Sequence, residues 1–327
     1  MRRRQFVGLV AGGLFAWPLV AHAQPSEVPV VGFLSIGSQH AFAPFLAAFH
    51  RGMNAAGYVE GGNVSVEYRW AEGDFDRLRQ QALELAGRRV ALIVASGGTA
   101  AAKVAASAAP GTPILFVSGF DPVQFGLVAS LSRPGGNATG LSLHTTELVA
   151  KRLEFICELT PKATKIAMLV NPTGVVSEIE KKELMDAAQP VGLQTHVFAV
   201  SSESDFAAAF ASAKEHGAEG LLVSADPFFT SKRAQIVQLA ASHALPAVYP
   251  WREYPMAGGL MSYGPSITDA YQKIGGYAGR VLAGAKPADL PVQVPTKFEL
   301  IINMKTAQAL GISVSPWLRA RADEVIE

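Results

Sequence analysis

The chain has 327 residues, of which 49% are hydrophobic and 17% charged, with 31 Gly, 20 Pro and a single Cys. That is room for about two domains of roughly 150 residues, each able to bury a core. It excludes a disordered chain, a collagen or coiled-coil repeat and a disulfide scaffold. The formal charge is +1, and it falls to −2 without the first 23 residues, which hold three basic and no acidic side chains. No basic nucleic-acid footprint remains.

Residues 1–23 read as a secretory leader: Arg2, Arg3 and Arg4, an uncharged run over 5–21, and Ala21-His22-Ala23 as a small-x-small cleavage site. Arg3-Arg4-Gln5-Phe6-Val7 is similar to a twin-arginine export signal. The apolar stretch 6–21 is 16 residues and contains Pro18, short of the ~20 needed to span a bilayer. No Cys follows it, so no lipoprotein anchor is expected at this terminus.

A rhythm of short apolar strands and amphipathic helices then begins. Strands are expected at 30–34, 64–68, 91–94 and 114–117. The helices between them carry Phe45, Phe49 and Met53 on one face, start at Asp74, and run from Thr99 to Ala108. Arg133-Pro134-Gly135-Gly136-Asn137 interrupts this series. A second series follows, with helices at 146–159, 176–189, 203–216 and 231–243 and strands at 166–170, 194–200, 220–223 and 247–249. Continuous apolar strands alternating with helices predict parallel sheets covered on both faces. The remainder is a strand at 258–264, a helix at 267–283, a strand at 297–302 and a helix at 304–310. It is too short for a third domain and is expected to complete the two lobes, with crossings near 140, 264 and 296 that make a hinge.

Ligands of open α/β sheets bind at the carboxyl ends of the strands. The first such end offers Ser35, Gly37 and Ser38. The second, Ser96-Gly97-Gly98-Thr99, opens a helix whose N–H groups and hydroxyls suit a carboxylate; a tight turn with a Ser or Thr cap is the alternative, and ligand contact is favoured because the loops at these strand ends face the cleft. Ser118 ends the next strand. Asp121-Pro122, Asn171-Pro172 and Asp226-Pro227 share one grammar, a capping side chain with Pro at the first helical position; Asp121 or Asp226 would also suit a ligand ammonium or hydroxyl. Tyr249, Trp251 and Tyr263 offer flat walls with polar tips, with Phe228 and Phe229 as further candidates. Arg252 suits an anion or an ion pair with Glu253 or Asp269. Hydrolase and nucleotide motifs are missing: no G-x-S-x-G, H-E-x-x-H, G-x-G-x-x-G after the first strand, or P-loop. The histidines have no metal-ligand spacing. Cys157, on the apolar side of its helix, reads as a core thiol.

Several segments together resemble a known family. They are Val31-Gly32-Phe33-Leu34-Ser35, Ala56-Gly57-Tyr58-Val59-Glu60-Gly61, Glu67-Tyr68-Arg69-Trp70-Ala71, the run from Phe116 through Asp121-Pro122 to Arg133-Pro134-Gly135-Gly136-Asn137-Ala138-Thr139-Gly140, Gly258-Gly259-Leu260-Met261-Ser262-Tyr263-Gly264, and Pro295-Thr296-Lys297-Phe298-Glu299-Leu300. The chain resembles the substrate-binding components of ABC uptake systems, in the group that includes tryptophan and tyrosine binders. The resemblance implies a type I periplasmic-binding-protein fold: two doubly wound α/β parallel-sheet lobes joined by a three-strand hinge, closing on a solute. The loop 171–177 and the stretch 249–252 depart from the family pattern; both are expected to face the ligand, so its identity can differ from that of relatives.

The expected organisation is a leader at 1–23, a first lobe of 24–140 with 264–296, and a second lobe of 141–263 with 297–327. The expected ligand is a small organic acid or amino acid, a class that includes the aromatic ones. No cofactor, metal, nucleic acid or catalysis is expected. The partner implied is an inner-membrane ABC permease, and the chain is expected to act as a periplasmic monomer. A sensor presenting the same ligand to a membrane receptor, or a periplasmic enzyme in the same cleft, are the alternatives.

Overall fold

Apolar runs too short for helices form buried strands here, and the amphipathic segments between them form the helices that cover them. The computed structural model describes residues 28–327, so the leader at 1–23 lies outside the described residues. Strands β1 (Val30–Ser35), β2 (Ser65–Trp70), β3 (Leu92–Ser96), β4 (Ile114–Ser118) and β5 (Ala138–Ser142) form one parallel sheet in the order β2-β1-β3-β4-β5. They are linked by α1 (Gln39–Ala55), α2 (Phe75–Gly87) and α3 (Thr99–Ala108). Local signals set the helix starts: the Ser38 hydroxyl accepts from Ala41 N, and the Asp74 carboxylate accepts from Asp76 N and Arg77 N.

The second series runs α4 (Val149–Leu159), β6 (Lys165–Val170), α5 (Ser177–Ala188), β7 (Gln194–Ala199), α6 (Asp205–Glu215), β8 (Gly220–Val223), α7 (Pro227–Ser231), α8 (Arg233–Ser242), β9 (Ala247–Tyr249), α9 (Glu253–Met256) and β10 (Met261–Pro265). The chain then gives α10 (Ile267–Leu282), β11 (Phe298–Asn303), α11 (Met304–Ala309), α12 (Pro316–Arg321) and β12 (Glu324–Ile326). The second sheet is ordered β12-β11-β10-β9-β8-β6-β7. It departs from the expected all-parallel form at one place, where β10 and β11 are antiparallel. The cause is topological: β10 leaves this sheet toward the first one, and β11 returns from it, so neighbours at the exit and the entry run in opposite directions.

Other departures are local. The helix expected over 231–243 is α8, and the short α7 precedes it, set off by the turn at Lys232 (φ −102°, ψ 15°). The terminal α12 and β12 were not anticipated, although Ser315-Pro316 carries the signal: the Ser315 hydroxyl accepts from Leu318 N and Pro316 takes the first helical position.

The segment between β10 and β11 goes back to the first sheet. There α10 packs on α1 with no side chain between the two backbones: a Cβ on Gly275 would stand 2.1 Å from Phe49 O, and one on Gly52 would stand 1.9 Å from Gln272 O. Farther on, Gln293 N donates to Gly140 O (2.9 Å) and Ser142 N to Gln293 O (2.9 Å), so the returning chain lies along β5. The chain thus passes between the sheets after β5, after β10 and before β11. Gly275→Ala forces two backbones apart, and overpacking of this kind costs about 1–3 kcal/mol or more. Urea unfolding of the variant is expected to show a lowered midpoint; a midpoint equal to that of the parent would show the contact to be pliable.

Candidate functional site

The carboxyl ends of β1, β2, β3, β4, β6 and β8 converge on one cavity of about 290 Å³. On the first sheet's side it is lined by Ile36, Ser38, Phe75 and the Gly97-Gly98-Thr99 turn; on the second sheet's side by Asn171, Val175, Val176, Asp226 and Phe228. The two walls touch: a Cβ on Gly98 would lie 3.4 Å from Pro227 Cγ. Arg233, on α8, reaches over to Ala41 O in α1 at 3.4 Å.

The first wall carries a positive pole at the start of α3, built without a basic side chain, beside the Glu72 carboxylate that lines the same side. Gly97 and Gly98 hold φ of +88° and +92°, which side chains disfavour, and they turn the chain abruptly from β3 into α3. No side chain among the described residues caps α3. The Thr99 hydroxyl, the natural candidate, is instead 2.8 Å from Ser118 Oγ, which itself donates to Phe120 O (2.8 Å). The first backbone N–H groups of α3 and the positive end of its dipole are therefore presented at Gly98, Thr99 and Ala100, which line the cavity.

The second wall carries a negative pole at Asp226, with Lys232 also lining that side. Asp226 is only 6% exposed, and its Oδ1 accepts from Asn171 Nδ2 (3.2 Å) and from Phe228 N (2.8 Å), capping α7. Asn171 is fixed in turn, its Oδ1 accepting from Thr173 N and Thr173 Oγ1. Burial pushes the Asp226 carboxyl above the usual range, opposed by hydrogen bonds from Asn171 Nδ2 and from the Phe228 and Phe229 backbone N–H groups.

Behind this wall lies a fully buried carboxylate, Glu180 on α5. It accepts from Ser224 Oγ and from Ala225 N (3.2 Å), the two residues that lead into Asp226. The buried Arg152 acts on Glu180 through its charge, and its Nε donates to Tyr263 O (2.9 Å) on β10. Burial raises the Glu180 carboxyl and lowers the Arg152 guanidinium to about 10, each partly offset by the other.

The sequence-derived candidates divide accordingly. Ser38, Gly97, Gly98, Thr99, Asn171 and Asp226 line the cavity. Ser35, Ser96 and Ser118 are fully buried beneath it and shape its loops; the Ser35 hydroxyl accepts from Gly37 N (3.1 Å), and Gly37 itself packs against the Phe42 ring. Asp121 makes a turn, accepting from Val123 N, and neither Asp121 nor Asn171 opens a helix at its Pro, so the shared Xaa-Pro grammar gives a helix cap only at Asp226. Tyr249 does not form a wall: it is 1% exposed and stacks on Tyr254 (4.6 Å, 10°), because its place on β9 turns the ring into the core. Tyr263 packs between Phe155 and Phe298. Trp251 lines a smaller inner cavity of about 40 Å³ with Phe42 and Tyr271; it adjoins the main one, sharing Gly97, Gly98, Gly119, Ala225 and Pro227 with it. Phe228 lines the main cavity, whereas Phe229 is core. Arg252 pairs with Glu299 (3.3 Å) and Glu324 rather than with Glu253 or Asp269. Cys157 is half-buried against the second sheet's core, where burial raises its thiol.

Sequence reasoning missed Glu72, Phe75 and Lys232, all of which line the cavity, whereas Val175 lies in the loop 171–177 that was expected to face it. Glu72 and Phe75 follow β2, and the rule that strand carboxyl ends face the cleft applies there as well.

Two α/β sheet units, joined by three passages of chain and meeting over a cavity at their strand ends, define a two-lobed binding protein of the periplasmic-binding-protein type. The sequence model of the family described as ABC transporter substrate binding protein matches residues 28–326. The chain belongs to that family: it is a transporter's substrate-binding component, and its role is binding, not catalysis. It is 29% identical over 264 residues to a tyrosine-binding protein of Clostridioides difficile, covering 81% of this chain and 75% of that protein. The crystal structure of an ABC domain from Streptococcus pneumoniae in complex with L-Trp superimposes with a TM-score of 0.82 at 28% identity, covering 91% of this chain and 99% of that one. A conserved domain protein from Vibrio cholerae gives 0.83 at 26% identity, covering 91% and 100%.

Removal of the Glu180 carboxylate would leave Ser224 Oγ and Ala225 N without their acceptor in the interior. Glu180→Ala is expected to destabilise the fold by about 2–4 kcal/mol, since each buried donor left unsatisfied costs about 1–3 kcal/mol. Denaturant unfolding checks this; a change below about 0.5 kcal/mol would mean that neither bond holds the loop before Asp226.

Proposed function

We propose that this chain captures an aromatic L-amino acid between its lobes and delivers it to an inner-membrane ABC permease. The observation that carries this reading is the pair of unlike poles on facing walls of one apolar-lined cavity. The uncapped N-terminus of α3 suits an α-carboxylate, and Asp226, steadied by Asn171, suits an α-ammonium. Between them Phe75, Phe228, Ile36 and Val176 offer flat and apolar surface for a ring. A volume of about 290 Å³ is at the small end of ligand cavities, which run ~300–1,000 Å³. The tyrosine and tryptophan named for the two relatives fall in the same chemical class.

In this reading Ser38, Gly97, Gly98, Thr99, Asn171 and Asp226 touch the ligand. The lobes are 24–140 with 264–296 and 141–263 with 297–327. Closure is driven by contacts that the ligand makes with both walls at once. The leader at 1–23 directs export, and the protein acts as a periplasmic monomer.

Calorimetric titration with L-Trp, L-Tyr, the corresponding amines and a set of sugars tests the reading. Binding of an aromatic amino acid, with weaker binding of its amine, is expected; binding of a sugar with no response to any amino acid would overturn it. Asp226→Asn should weaken binding by roughly 10- to 100-fold, the worth of a charge-assisted hydrogen bond. The pH dependence has a definite sign. An ammonium binds the ionised carboxylate, and burial raises the Asp226 pKa, so affinity is full above that raised pKa and is lost as pH falls through it. The loss should begin above the titration range of an ordinary aspartate near 3.9, and Asp226→Asn should flatten the profile.

A further inference from the structure

We propose that Tyr271 is a positioning residue of the ligand site, its hydroxyl holding the Ser96-Gly97 backbone in the one conformation that aims the N-terminus of α3 at the ligand carboxylate. The proposal rests on the amino-acid reading above and adds to it a residue outside the main cavity. Tyr271 is 1% exposed. Its hydroxyl lies 2.6 Å from Ser96 Oγ and accepts from Gly97 N at 3.2 Å. Its ring stacks on Phe45 of α1 (5.4 Å, 15°), which fixes its direction.

The need for such a holder follows from the turn itself. Two consecutive glycines at positive φ have little conformational preference of their own, because neither has a side chain to restrict it. A buried polar partner must select the conformation. By taking the Gly97 N–H into the interior, Tyr271 orients the next peptide units, so that the N–H groups at Gly98, Thr99 and Ala100 remain at the cavity. Burial raises the phenol to about 12, so the hydroxyl keeps its proton and can donate to Ser96 Oγ while accepting from Gly97.

The place of Tyr271 in the chain gives the contact a second meaning. It sits on the second turn of α10, directly after β10 has crossed from the second sheet. Its ring also lines the inner cavity together with Trp251, which belongs to the second lobe's side. The residue that sets the carboxylate-binding turn is therefore delivered by one of the three crossings and meets the surface on which the lobes close.

The test uses L-Trp and tryptamine, which share ring and ammonium and differ in the carboxylate, titrated into the full chain by calorimetry. The affinity ratio of the two reads the grip of the α3 N-terminus. In Tyr271→Phe the affinity for L-Trp is expected to fall about tenfold, the worth of the lost hydrogen bonds, while that for tryptamine stays within about twofold, so the ratio drops. A ratio equal to that of the parent, or an equal loss for both ligands, would overturn the positioning role and leave the amino-acid reading standing. A parent protein that does not distinguish the two ligands would overturn that reading and this proposal with it. Should Tyr271→Phe not fold, Ser96→Ala, which removes the other partner of the same hydroxyl, is read by the same ratio with the same outcomes.

Discussion

The backbone contact between α1 and α10 is the constraint on which the two-lobed arrangement depends. At Gly52 and Gly275 nothing but main chain separates the helices, so their spacing is set by atoms that cannot change rotamer. Residues 266–292 have just left the second sheet, and this contact returns them to the first. From there Tyr277 donates to Pro291 O (2.7 Å), and Gln293 pairs along β5. The position of the third passage, into β11, is thereby fixed by the first sheet. A hinge of three strands needs all three anchored at both ends, and two glycines secure the end that the sequence would otherwise leave to a long excursion.

The cavity brings together a bare helix start and a buried carboxylate on its two sides. An uncapped helix start and a desolvated carboxylate are each unfavourable alone. Both are held by buried polar groups: Tyr271, Ser96 and Ser118 under the first wall, and Asn171, Glu180 and Ser224 under the second. Apart from Asn171, which itself lines the cavity, the supporting groups are satisfied mainly by one another or by backbone, so they add rigidity without competing for what lies in the cavity. The poles are pre-oriented, and preorganisation reduces the ordering cost that a ligand must otherwise meet.

Much of the fold was legible because its signals are local. Asp74 caps α2 where its position before an amphipathic run said it would, and Thr99–Ala108 is helical over the span read from the residues. Asp226 was legible for a similar reason, with Pro227 marking the helix start. The same grammar gave no helix at Asp121 and Asn171, since a capping side chain followed by Pro also closes a turn, and only tertiary context decides which. The aromatic walls were misplaced for a different reason. Composition shows that Tyr249 and Tyr263 have the right chemistry, but the side of a strand on which a ring stands depends on register, and both face the packed interior. The rings that do line the cavity, Phe75 and Phe228, lie in the first turns of helices that follow strand ends. β12 is only three residues long and owes its existence to pairing with β11, which no local pattern encodes.

On the proposed reading, the distribution of the poles between the sheets explains why ligand binding and lobe closure are one event. A ligand shifts a conformational equilibrium only as far as it binds one state better than the other. If carboxylate and ammonium sites stood on the same lobe, an amino acid would bind open and closed forms alike and leave their ratio unchanged. Here Gly98 to Ala100 belong to the first sheet's wall, and Asp226 to the second. A zwitterion can satisfy both only when the walls are together, so its charges act as a strut across the cleft. A lone carboxylate or amine gains one wall and forgoes most of the closing energy. Discrimination between an amino acid and its fragments then arises from the geometry of closure as much as from the affinity of either pole, and a permease that recognises the apposed lobes would be spared most unproductive encounters.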